Sequence, residues 1–373
     1  MSFILINTYI VTTLVSVVAI MLAERFALFS TEPKYANYTS IHSKLRVLFY
    51  LIAFVVPFLV AALRYEVGND FRSYSWLFLM SGAGHETHME FGFELLVMLI
   101  KLFTQEVQVV FASISFITIL LIFLTIKRFS AYCGLSYFLF FSMGFYGNSL
   151  SAIRSYIAIA VCFWAIKFLQ KNEIIIYLAF VLLAMSFHAS AVVMVPFALL
   201  ARYRFRVSYY IILLVIGLIV SVFGIYLLDA LYHVIRPQWR AALYGLRQGG
   251  AVVSYFNLML SGIVALGCAA YYKQLVAKPG NIILVNGAFA SFLLYASVSW
   301  WLGGWVTRFA LFFNIMHILI IPEIILVEKN PHVKCLYMTL VVVAFVMFFF
   351  MLFNAHTFPA GNGWFPYRSV FSR

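Results

Sequence analysis

The stretch VQVVFASISFITILLIFLTI, residues 107–126, decides the fold. It carries no charged side chain, and Lys127 and Arg128 follow it directly. As a helix it is about 30 Å long, the thickness of a bilayer's hydrocarbon core. Apolar runs of the same kind recur on both sides, over residues 3–23, 45–63, 135–148, 151–170, 173–187, 188–200, 208–228, 255–272, 280–301, 305–327 and 333–353. Runs 173–187 and 188–200 are short and nearly continuous, so they read either as two short helices meeting at a bend near His188 or as one long span. The expectation is an all-α polytopic integral membrane protein with about 12 (roughly 10 to 13) transmembrane helices and an outward-facing cavity. All 373 residues are expected to form one transmembrane domain.

Composition agrees. The chain is 65% hydrophobic and 10% charged, with mean hydropathy +1.02. A soluble domain carries roughly 25% charged residues, and no stretch here is long and polar enough to fold as one. The formal net charge of +13 does not point to nucleic acid: the basic residues lie in short clusters between apolar runs, where they orient a membrane protein and meet anionic head groups. Cys133, Cys162, Cys268 and Cys335 have no ligand-like spacing, so neither a disulfide framework nor a zinc site is expected. The start, MSFILINTYI, lacks the positive region of a cleavable signal, and the first run reads as a retained helix.

Lysine and arginine separate by side. Arg25, Lys34, Lys44 and Arg46, then Lys127 and Arg128, Lys167 and Lys171, Arg202, Arg204 and Arg206, Lys273 and Lys278, and Lys329 and Lys334 fall in loops that alternate consistently as cytoplasmic, so nearly every lysine is on that side and both termini are outside. Arg64, Arg72, Arg154, Arg236, Arg240, Arg247, Arg308 and Arg368 fall at or near the ends of apolar runs on the other side. Arginine is costly near hydrocarbon, and its planar fork suits diphosphate and carboxylate. Three outer segments follow: 64–106, containing an interfacial helix in FGFELLVMLIKLF; 229–254, rich in arginine; and the tail, 354–373.

In the first of these, Gly68-Asn69-Asp70 reads as a tight turn with Asp70 capping a helix that starts near Phe71. Two compatible readings stand: a capped helix with Arg64–Asp70 or Arg72–Glu66 pairs, and a carboxylate for sugar binding or acid–base work beside an anion-binding arginine. His188 reads either as a packing residue or as a general base. Arg154 opens a helix from the outer face, where the dipole disfavours a cation, so an anion is expected beside it; the alternative is snorkelling to head groups. Arg308 repeats the pattern in GGWVTRFALFF. Tyr74, Trp239 and Tyr367 are candidate sugar or acceptor contacts, with interfacial belting as the alternative. The chain has no Walker, HExxH, GxSxG or D-x-D element, so no metal and no cofactor is expected.

The ordered set Arg64-x-x-x-Gly68-Asn69-Asp70-Phe71-x-x-Tyr74, Glu90-x-Gly92-Phe93, Arg154-x-x-Ile157-Ala158, Phe187-His188-x-Ser190-Ala191, Arg308 and Pro366-Tyr367 resembles the EpsG family of Wzy-like polymerases of bacterial O-antigen, capsule and exopolysaccharide. One departure is Asn69, where the family pattern has threonine or serine. The resemblance implies a glycosyltransferase of the inner membrane with its site facing outside. It would move a glycan from undecaprenyl diphosphate onto the non-reducing end of a new lipid-linked repeat unit, with a chain-length regulator as partner. In that reading His188, Asp70 and Glu90 are the acid–base candidates. Arg154, Arg308, Arg236, Arg240, Arg247 and Arg64 are the diphosphate-binding candidates. A flippase or exporter of lipid-linked oligosaccharide, or an O-antigen-ligase-like transferase, is the alternative. A membrane acyltransferase rests on His188 alone, because no aspartate completes an H-x-x-x-x-D pattern.

Overall fold

A computed structural model describes residues 2–29, 39–80, 89–219, 223, 251–298, 303–355, 363 and 366–372. Its described residues form helices and turns joined by one isolated β-bridge, between Arg64 and Ser369. Among the described residues, five helices are long and apolar enough to cross a membrane. The pair 307–314 and 317–327, bent by 43°, makes a sixth if counted as one span, and six shorter apolar helices accompany them. The apolar runs of the sequence, as far as the described residues cover them, fall on helices, and the chain is a membrane-embedded helical protein. Large apolar side chains such as Leu14, Leu51, Leu182 and Met347 are left exposed, as lipid-facing helices require.

The chain divides into two compact units. The first comprises residues 1–164, 186–189 and 330–373. It contains α1 (Ser2–Phe29), α2 (Thr39–Ala62), α3 (Phe71–Met80), α4 (Phe91–Lys101), α5 (Val107–Phe129), α6 (Cys133–Ser142), α7 (Phe145–Ser151) and the start of α8 (Ile153–Gln170). The second, residues 165–185 and 190–329, holds the rest of α8, most of α9 (Ile174–Phe187), α10 (Met194–Leu200), α11 (Val207–Ile219), α12 (Ala251–Ala270), α13 (Tyr272–Ala277), α14 (Asn281–Val298), α15 (Gly303–Asn314) and α16 (His317–Val327). The last helix, α17 (Pro331–Ala355), returns to the first unit.

Proline and glycine set the bends of the first unit. Pro57 inside α2 lacks an N–H, so the carbonyl of Ala53, four residues earlier, loses its helical donor. The Tyr137 hydroxyl replaces it at 2.7 Å. Gly144 takes φ +79 between α6 and α7, and an added Cβ would fall 2.6 Å from Leu352 of α17. The second α2 signature is its last turn. The orphan carbonyls of Val60, Ala61 and Ala62 accept from Tyr367 Oη at 3.1 Å, from Arg64 Nη1 at 2.8 Å and from Gln108 Nε2.

In the second unit α9 and the 189–200 segment fold back on each other. Tyr177 Oη donates to the Met194 carbonyl at 3.3 Å, and Arg202 meets the Asn172 side chain near the open end. The two short helices meeting at a bend are therefore the reading that holds, with His188 between α9 and a 3-10 turn, Ala189–Val193. Asn286 on α14 donates to the carbonyls of Leu200, Ala201 and Tyr203, which satisfies the end of α10. The buried carboxylate of Glu323 is matched by Lys278 and by Asn281 Nδ2 at 3.3 Å.

Candidate functional site

Gly68 makes the turn before α3. Its φ of +103 lies where side chains are strained, and an added Cβ would fall 2.2 Å from the Leu150 carbonyl oxygen at the end of α7. The turn is pinned there by the Asn69 N–H on Ser151 Oγ at 3.3 Å. Residue 69 therefore contributes its backbone, a role for which asparagine in place of threonine or serine is no handicap. Ala152, with φ −92 and ψ 61, breaks the chain between α7 and α8. Arg154 then enters in the first turn of α8 beside the start of α3. As expected from the sequence, α3 begins at Phe71 directly after Asp70, and Arg72 pairs with Glu66 at 3.0 Å.

The side chains of Tyr74, Glu90 and Arg154 meet. Arg154 Nε donates to Tyr74 Oη at 3.1 Å, and its Nη1 forms an ion pair with Glu90. The guanidinium lies 5.6 Å from the Tyr74 ring centroid and 6.0 Å from that of Phe93. Glu90 is the residue before α4, yet its side chain makes no capping bond and reaches Arg154 instead. The anion expected beside Arg154 is thus supplied by the chain. The pair remains reachable, since the Arg154 and Glu90 side chains keep 27% and 25% of their exposure. Nη2 of Arg154 and the hydroxyl proton of Tyr74 have no acceptor among the described residues. Burial pushes the Tyr74 phenol above its ordinary pKa against the pull of Arg154, so Tyr74 stays a neutral donor.

An apolar platform of Phe71, Phe78, Phe93, Val97, Phe111, Ile114, Ile153 and Ile157 holds this crossing, with Phe71 stacked on Phe111 at 4.3 Å. Phe187 packs on the same cluster. Gly92 allows the approach: a Cβ there would fall 2.1 Å from Ser186 Oγ. The next residue after Phe187 is the half-buried His188, so the first unit brings the Asp70, Tyr74, Glu90, Arg154 and His188 segments into one neighbourhood. Asp70 is half-buried, and its charge is felt by Tyr74.

The other expected residues are placed differently. Arg64 is fully buried. Its Nη1 donates to Ala61 O and to Ser115 Oγ at 3.0 Å, and its guanidinium sits 5.0 Å from the Phe111 ring. It makes no pair with Asp70; burial lowers its pKa to about 10, which leaves it charged at neutral pH. Tyr367 is engaged at Val60, and burial pushes its phenol up to about 12. Arg308 lies exposed on α15 in the second unit. Arg236, Trp239, Arg240 and Arg247, with all but the last few residues of the 229–254 segment, lie outside the described residues. The segment expected to lie at the interface forms a helix, α4, which buries Gly92, Phe93 and Val97 and leaves Phe91, Leu95, Met98 and Leu99 exposed. The tail joins the 63–68 turn: Tyr65 N donates to Arg368 O at 2.8 Å, Val370 N to Leu63 O at 2.9 Å and Gly68 N to Gly363 O at 3.3 Å, while Glu66 bridges Arg72 and Arg368.

Sequence reading missed the Glu90–Arg154 pair, having placed Glu90 only among acid–base groups. It also missed the apolar platform and Gln108. The one signal available was Glu90 at the foot of an apolar helix, where a carboxylate suits the dipole and has a short reach to any neighbouring cation.

These features define a helical, membrane-embedded protein whose first unit presents a half-open arginine–carboxylate–tyrosine crossing. The family model of the EpsG family matches residues 47–369, most of the chain, and the chain belongs to that family. It is accordingly a membrane protein of polysaccharide biosynthesis. A comparison with curated proteins found no match, and a comparison with solved structures found none either.

Proposed function

We propose that this protein is an oligosaccharide repeat-unit polymerase of the bacterial inner membrane, with about twelve spans and its site facing outside. It transfers the glycan of an undecaprenyl-diphosphate-linked donor to the non-reducing end of a new lipid-linked repeat unit. The observation that carries the reading is the Arg154 crossing: a guanidinium fixed by Glu90 and Tyr74, still accessible, with donor positions that no described residue fills. In the reaction the acceptor hydroxyl attacks the anomeric carbon, the bond from that carbon to the diphosphate oxygen breaks, and undecaprenyl diphosphate leaves. Negative charge grows on the leaving oxygen, and a preorganised guanidinium stabilises it most where water is excluded. Glu90 acts as the positioning residue for Arg154, and the Tyr74 proton is a second donor to the same anion. The acceptor proton goes to His188 or Asp70, both half-buried in the same unit. Arg308 and the arginines of 229–254 are further candidates for the diphosphate, and a chain-length regulator is the expected partner.

The test is reconstitution of purified protein in lipid with native undecaprenyl-diphosphate-linked repeat units, chelator present and nucleotide absent, with products sized on a gel. A ladder rising by one repeat is expected, and Arg154→Ala is expected to lower its yield by about a hundredfold or more in a folded protein. No ladder from folded protein with metal restored, together with lipid-linked oligosaccharide crossing the bilayer of sealed vesicles, would move the assignment to a flippase.

A further inference from the structure

The first unit carries a cavity that the proposed reaction does not use. It has a volume of about 890 Å³ and lies where the ends of α1 and α5 meet the start of α6, with Tyr50 of α2 on its wall. Gln108, near the start of α5, bonds the Arg64 carbonyl, whereas Lys127 near its end lines the cavity. At the rise of an α-helix those two levels are roughly 30 Å apart, about one hydrocarbon thickness. The cavity therefore sits at the opposite membrane border from the Arg64 turn.

Its charges are unequal. Glu24 accepts from the N–H groups of Cys133 at 3.1 Å and Gly134 at 3.2 Å, so its carboxylate is engaged by the first turn of α6. Lys127 Nζ lies 4.2 Å from the Tyr50 ring centroid, and Arg25 is exposed on the next position after Glu24. Neither cation has a carboxylate within ion-pair distance among the described residues. The wall formed by Val18, Met21, Leu22 and Leu28 is apolar and open. A site that grades from bare hydrocarbon to two cations that no described carboxylate meets, and a phenol, fits an amphiphile with an anionic head. A free anion gains nothing from the apolar wall, and a zwitterionic lipid brings its own cation.

We propose that this cavity binds one anionic membrane phospholipid, with its phosphate between Arg25 and Lys127 and the upper part of an acyl chain along Met21 and Leu22. The site is independent of the polymerase reading, because it lies at the opposite end of α5 from the Arg64 turn, shares no residue with the Arg154 crossing and needs no glycan.

The experiment is native mass spectrometry of the full chain released from nanodiscs of phosphatidylglycerol and phosphatidylcholine in equal amounts, with the double variant Arg25→Gln/Lys127→Gln in parallel. Wild-type protein is expected to retain one phosphatidylglycerol with about tenfold or greater preference, since each basic group near the surface attracts such lipid appreciably. The double variant is expected to lose that preference while melting as wild type does in phosphatidylcholine, and Lys127→Arg is expected to keep it. Equal retention of the two lipids, or a preference that survives the double variant, overturns the proposal. So does full competition by glycerol phosphate alone, which would assign the site to a free phosphate anion. Should the double variant fail to fold, Leu22→Trp, which fills the apolar wall and leaves both cations in place, is expected to expel the lipid, and undiminished retention overturns the proposal.

Discussion

Two arginines of the first unit, Arg64 and Arg154, stand at ends of helices and have opposite surroundings. Arg64 follows the C-terminus of α2, is completely buried, and turns back onto the Ala61 carbonyl. The helix dipole favours a cation there, and the orphan carbonyls need donors. Arg154 stands at the N-terminus of α8, where the dipole disfavours it, and is held by a carboxylate and a phenol with part of its surface open. Burial of a guanidinium is therefore a poor guide to function. The more buried of the two completes a helix end, and the less buried one is arranged against its helix by outside partners. An arrangement that secondary structure does not favour needs another reason, and anion binding is one.

Two substitutions separate these roles. Arg154→Ala is expected to lower polymer formation by about a hundredfold or more, the usual effect of removing one preorganised donor from a developing anion. The half-exposed ion pair it breaks is worth only about 1 kcal/mol, so the melting temperature should scarcely move. Arg154→Lys is expected to rescue little, because an ammonium cannot hold Tyr74 and Glu90 in the same planar geometry. Arg64→Ala should do the reverse. Loss of the buried side chain opens a cavity under Phe111 and strips the α2 end of a donor, at a cost of about 3 kcal/mol. Less folded protein would be recovered, yet activity per folded molecule should stay near wild type. Equal melting shifts for the two variants would break the comparison, as would a folded but inactive Arg64→Ala protein.

Much of this was legible in the chain. The apolar runs mark the long apolar helices among the described residues, because in hydrocarbon the backbone must satisfy itself and only long uncharged stretches qualify. The turn at Gly68, the start of α3 at Phe71 and the Arg72–Glu66 pair are local events, fixed by neighbours in sequence. Residues 64 and 90 were harder. The fate of Arg64 depends on Ser115 and Phe111, roughly fifty positions away, and that of Glu90 on Arg154, sixty-four positions away. Periodicity carries no information about such pairings. The bend at His188 was half legible: two short runs were visible, but the choice between a hairpin and one span rests on the Tyr177–Met194 bond.

Smaller perturbations sharpen the contrast further. Gly68→Ala forces a side chain into φ +103 and against the Leu150 carbonyl. A cost of about 2 kcal/mol is expected, with a partial loss of activity because the turn positions Tyr74 relative to Arg154. A melting shift without any loss of activity would show that the turn does not hold the crossing in register.

The smallest effect belongs to Tyr74→Phe, and it is the most discriminating. The ring stays on Phe93 and under Arg154, so the packing of α3 is kept, while Arg154 Nε loses one acceptor and the site loses one neutral donor. One hydrogen bond to a charged group, about 1.5 kcal/mol, predicts a roughly tenfold slower ladder. If Tyr74 only steadies Arg154, Glu90→Gln should have a similar effect, and the double variant should show less than the product of the two. If its hydroxyl also donates to the leaving diphosphate, the two variants act through different bonds and their effects should multiply. A double-mutant cycle on initial polymerisation rate, read beside melting temperatures that stay within error of wild type, decides between positioning and direct contact.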